Sequence, residues 1–133
     1  MALDLSPLAG LGRAEKGLSL GLHYGPELGL EGFEHAATYG IKSYNTLRGL
    51  VKGTGLEVHH LVEKRFAKLL EISPGKMKSI ALTPEEHAVF TKAWRQAIPY
   101  GQGTVNATKQ QVAAAARKIY ENYPAIRSAL GIP

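Results

Sequence analysis

The tetrapeptide Thr83-Pro84-Glu85-Glu86 constrains the fold more tightly than any other stretch of the chain. The threonine hydroxyl can accept a hydrogen bond from the backbone N–H three residues on. A glutamate at that position can reach back to the threonine N–H, and proline fits the first helical position, where the missing N–H has no partner to lose. A helix therefore starts at Thr83. It should run to about Ala97 and stop before Pro99, with Phe90, Trp94 and Ala97 on its apolar stripe and His87 one turn earlier on the same side.

Upstream of this helix the pattern is short and punctuated. Leu56–His60 is partly β-branched and follows Gly53-Thr54-Gly55, which reads as strand after a helix end. Lys76–Leu82 is a second strand candidate. Between them, Leu61–Ile72 reads as helix on a stripe of Val62, Phe66, Leu69 and Leu70, stopped by Ser73-Pro74-Gly75. Residues 31–52 read as helix broken at Gly40, with Ser43 capping the second part. Beyond Pro99, a loop over Tyr100–Thr104 leads to a helix over about Lys109–Tyr123, capped by Asn106 or Thr108, with Val112, Ala115, Ala116, Ile119 and Tyr120 buried. Pro124 begins a last short turn.

At 133 residues the chain is sized for one domain, and no apolar run approaches the ~20 residues that cross a bilayer. The N-terminus lacks the basic start and apolar run of a secretory signal. Without cysteine, the sequence excludes disulfides, thiolate zinc sites and cysteine nucleophiles, and leaves the compartment open. Charge is uneven. Residues 1–40 carry two basic against five acidic side chains, and residues 41–133 carry fourteen against six. The basic part holds His59, His60 and His87, so an anionic partner such as nucleic acid fits it, although a solvated basic face is the plainer reading.

Imidazoles bind divalent metals and take protons near neutral pH. A strand ending in His59-His60, a connection, a second strand and a capped helix carrying His87 would bring three such rings to one place. Singly, each has a simpler explanation: a buried polar pair bonded to backbone for His59 and His60, a surface position for His87. His23 and His35 have no partner at metal-ligand spacing and read as surface or core-edge residues. Phe66, Phe90 and Trp94 read as core.

Glu57-Val58-His59-His60, followed by Ile80-Ala81-Leu82-Thr83-Pro84-Glu85-Glu86-His87, resembles the HNH nucleases (the ββα-metal or His-Me finger fold). The nearest resemblance is to colicin-type DNase domains and the His-His nucleases of bacterial polymorphic toxins. The match covers roughly Leu56 to Thr91. It implies a helix-rich α+β single domain over 1–133, with an irregular N-terminal arm (1–30), a ββα-metal core (55–97) and a C-terminal helical segment (105–133).

The resemblance also implies a metal-dependent endonuclease that hydrolyses phosphodiester bonds, DNA more than RNA. His59 and His87 would be metal ligands, His60 the general base and Glu57 a supporting carboxylate. The ion would be Mg²⁺, Mn²⁺ or Zn²⁺. The implied setting is a secreted or cell-delivered toxin effector, acting in a target cytoplasm and blocked by an acidic immunity protein. A phage or mobile-element endonuclease, or an inactive nucleic-acid-binding module of the same fold, would read much the same. A structural adaptor with incidental histidines is the reading from another class.

Arg48, Lys64, Arg65 and Arg95 are candidate nucleic-acid contacts, and Lys109, Arg117 and Lys118 read as solvated. The chain departs from the family pattern twice. Thr91 stands where the colicin group has another histidine, and Lys78 falls near the family's middle asparagine.

Overall fold

A computed structural model describes residues 33–133. The expected N-terminal arm, the strand read near Ser19–His23, and His23 itself lie outside the described residues. Three short strands form an antiparallel sheet in the order β1-β3-β2: β1 is Lys42–Ser43, β2 is Glu57–His60 and β3 is Lys78–Leu82. Among the described residues, seven α-helices accompany it: α1 Glu34–Tyr39, α2 Tyr44–Leu50, α3 Ala67–Leu70, α4 Pro84–Ala97, α5 Gln102–Val105, α6 Lys109–Ile119 and α7 Pro124–Leu130. Short 3₁₀ turns occupy Lys64–Phe66 and Pro74–Lys76. The α+β class read from the sequence is the observed one.

The register explains how the sheet is used. Glu57 lies opposite Leu82 and His59 opposite Ile80, while Val58 faces Ala81 and His60 faces Ser79. Opposed residues share a face and neighbours alternate. Glu57, His59, Ile80 and Leu82 therefore point one way. There Ile80 and Leu82 join a core with Phe66, Phe90, Trp94, Val112, Tyr120, Ile126 and Leu130. Val58, His60, Ser79 and Ala81 point the other way, towards α2, whose Leu47 is fully buried. With both faces covered, every residue of β3 is buried, including Lys78 and Ser79. That is why the strand's sequence does not alternate cleanly.

Local signals held where they were local. Thr83 and Glu86 exchange both hydrogen bonds of the capping box, and α4 ends at Ala97. Ser43 caps α2 through the Thr46 N–H, and Thr108 forms a second capping box with Gln111. Gly40 ends α1 at φ 79°.

Other expectations are corrected. Leu61–Ile72 is not one helix. The Leu61 N–H bonds the Lys78 carbonyl and prolongs the β-ladder, and Leu61 and Val62 are both buried. Only the single turn of α3 is α-helical, ended by Glu71 in the left-handed region at φ 58°. Ala97 is exposed rather than part of the stripe. The segment after Gly101 forms α5 instead of an open loop. The last helix stops at Ile119, and Pro124 starts α7, a full helix rather than a turn, which buries Ala125, Ile126, Ala129 and Leu130. No helix among the described residues is long and apolar enough to cross a membrane.

Candidate metal and phosphodiester site

β2 is an edge strand, and its outer side opens into a cavity of about 530 Å³. His59, His60 and His87 all line it, with Tyr44, Glu63, Lys64 and Thr91. The two strand residues arrive by alternation, one from each face at the strand's end. His87 arrives from the first turn of α4, which the capping box fixes. The ring centres of His59 and His87 are 5.1 Å apart, with the planes at 63°.

His59 is 2% exposed and stacks on Phe90 with ring centres 5.2 Å apart. Its Nε2 lies 2.8 Å from the Tyr120 hydroxyl. That hydroxyl donates its one proton to the Leu61 carbonyl at 2.5 Å, so it accepts from His59. The proton of His59 therefore sits on Nε2, and Nδ1 keeps a lone pair. Among the described residues no buried side-chain nitrogen or oxygen lacks a partner, and Nδ1 makes no hydrogen bond. His59 reaches the cavity wall. Burial first, and then His87 and His60 nearby, hold the imidazole well below its ordinary pKa of 6.5, so the ring is neutral at pH 7.

His87 is held by the opposite nitrogen. Its Nδ1 donates to the Glu57 carboxylate at 2.8 Å, which leaves Nε2 as the lone pair. Glu57 reaches it because residues two apart on a strand share a face. A carboxylate behind a histidine, fixing tautomer and orientation, is the usual support of a metal ligand. Two imidazoles on one tetrahedral ion, with metal–nitrogen bonds of ~2.1 Å, have ring centres about 5 Å apart. The observed separation of 5.1 Å is the size that a shared cation requires. Among the described residues no group of three or more His, Cys, Asp or Glu side chains is placed to hold one. Thr91 does line the cavity where a third ligand was missed in the sequence.

His60 sits differently. Its ring stacks on Tyr44 with centres 4.3 Å apart and planes at 10°. Its Nε2 lies 3.1 Å from the Pro74 carbonyl, which can only accept, so the proton is on Nε2 and Nδ1 is a base. Burial lowers its pKa from the ordinary 6.5; the Pro74 carbonyl opposes this, while Lys64 and His87 add to it. The Pro74 carbonyl and the Tyr44 ring thus hold this imidazole in place.

The candidate phosphate contacts separate into two groups. Arg65 spends all five donors: one on Glu63 at 2.7 Å, two on the Pro99 carbonyl and Thr104 hydroxyl, and two on the Trp94 and Ile98 carbonyls. It ties down the C-terminal carbonyls of α4 and at the same time lines the main cavity. Lys64 lines the main cavity and is exposed. Arg48 and Lys52 line a neighbouring cavity of about 460 Å³ that shares Tyr44, Val58 and His87 with the first. Arg95 stands over the exposed Tyr100 ring, 5.0 Å from its centre.

Sequence reasoning missed Tyr120 and Tyr44 as partners of the histidine pair. Tyr120 was visible only as one more apolar position on α6's buried face. Its contact with His59 spans 61 residues, and no local pattern encodes that. No protein-family model matches the sequence, and no curated protein or solved structure matches it.

Proposed function

We propose that the chain is a metal-dependent endonuclease of the ββα-metal type, acting on phosphodiester bonds in nucleic acid. The observation that carries this reading is the pairing of two imidazoles, His59 and His87, with ring centres 5.1 Å apart, each with one nitrogen hydrogen-bonded behind it. A third, His60, stands beside them with a free Nδ1. His59 and His87 would hold a divalent cation, and when bound it would supply charge neutralisation at the scissile phosphate and at the departing 3′-oxygen.

His60 Nδ1 takes the proton of the attacking water, a task that suits an imidazole neutral at pH 7. The stack on Tyr44 and the Pro74 carbonyl hold that ring against rotation. Glu57 keeps His87 in one tautomer. Lys64 on one side, and Arg48 and Lys52 on the other, draw in the phosphates that flank the cut. DNA as the favoured substrate, the toxin setting and an acidic protein that covers this basic surface go with the same reading.

A plasmid-nicking assay tests it. Nicking should require a divalent metal, stop with EDTA and fall steeply in His60→Ala. A chain that retains the plasmid in a gel shift and never cuts it is a binding module instead.

A further inference from the structure

Building on the nuclease reading, we infer that Tyr120 is a positioning residue for the metal site: its phenol dictates which nitrogen of His59 is left to bind the cation. Tyr120 lies outside the strand–strand–helix unit, in the turn that follows α6. Its hydroxyl has one proton and two lone pairs. The proton goes to the Leu61 carbonyl at 2.5 Å. The lone pairs accept from the Trp94 indole N–H at 3.3 Å and from His59 Nε2 at 2.8 Å.

Two of the three partners cannot exchange roles. A carbonyl never donates and an indole N–H never accepts. Two oxygens 2.5 Å apart also need a proton between them. The phenol is therefore locked as an acceptor towards His59, and the imidazole has one tautomer. The network is fully buried, with Tyr120 and Trp94 at 0% exposure, so water cannot take over any of the three bonds.

The arrangement matches that of His87 in logic and differs in chemistry. Glu57 fixes His87 with an exposed carboxylate, whereas Tyr120 fixes His59 with a buried neutral hydroxyl. It also makes the C-terminal helical segment part of the site. Leu61 follows the histidine pair directly, Trp94 belongs to α4, and Tyr120 joins both to the end of α6.

Two measurements test this. In the wild-type protein, ¹⁵N shifts of the His59 ring should show Nε2 protonated and Nδ1 bare; a ring protonated on Nδ1 overturns the inference. Calorimetric titration with Zn²⁺ should show affinity reduced ~10–100-fold in Tyr120→Phe, the usual effect of losing a group that orients a metal-bound histidine. Trp94→Phe, which removes a bond to the same phenol but none to His59, should lose stability and keep its Zn²⁺ affinity. Unchanged affinity in Tyr120→Phe overturns the positioning role alone. A wild-type chain that takes up no Zn²⁺ overturns this inference and the nuclease reading together.

Discussion

His59 and His60 are adjacent in sequence and occupy opposite surroundings. His59 is sealed against Phe90 and bonded to a buried phenol. His60 is partly open to the cavity, sandwiched locally between Tyr44 and the Pro74 carbonyl. The pleat of one strand produces the difference by sending neighbours to opposite faces. The first imidazole is consequently built into the core, and its chemistry depends on residues far along the chain. The second is held by a short turn and a ring at the start of α2, and can change without disturbing the core. In the proposed nuclease, a rigid ligand and an accessible base would come from two consecutive residues.

Replacing each residue by alanine should separate the two roles most sharply. His60→Ala should lower nicking ~10²–10⁴-fold, the usual contribution of a positioned general base, with little change in the urea midpoint. His59→Ala should abolish metal uptake. It should also cost about 2–4 kcal/mol of stability, because it leaves a cavity beside Phe90 and removes a donor from the buried Tyr120 hydroxyl. Equal stability losses in the two variants would show that the contrast in burial has no energetic consequence.

Acid should act on the same contrast. The folded pKa of His59 lies below 6.5, near the unfolded value, so the unfolded chain binds the extra proton first. The stability tied to a neutral His59 is complete above about pH 6.5. It is lost as pH falls below that value towards the folded pKa, by about 1.4 kcal/mol per pH unit for one group. His60 shifts in the same direction and adds a smaller share, being more exposed. Urea midpoints between pH 8 and pH 5 check this, and His59→Gln should flatten the slope more than His60→Gln. The smallest effect is local to α4: Thr83→Ala should cost ~1 kcal/mol through the lost cap, read as a lower urea midpoint, and leave the His59–Tyr120 bond intact.

What could be read from the sequence follows the same division between local and distant causes. The capping box, the strand ending in the histidine pair and the helix carrying His87 depend on residues within a few positions of each other, and they stand where the pattern put them. Leu61–Ile72 was misread because its apolar stripe has helical spacing. Tertiary demands override it: Leu61 completes the ladder with Lys78, and Arg65 reaches across to the end of α4. The role of Arg65 was hidden for that reason, since a phosphate grip and a helix-end clamp use the same fork of donors. Tyr120 was hidden because burial and hydrogen bonding at one residue look alike in a sequence.

The proposed site requires one cation shared between an imidazole of the edge strand and one of the capped helix. A Zn²⁺-soaked crystal examined by anomalous scattering addresses it directly. The account predicts a single strong peak in the cavity, ~2.1 Å from Nδ1 of His59 and from Nε2 of His87. A peak bound to only one of these rings, or no peak in the cavity at all, would contradict it.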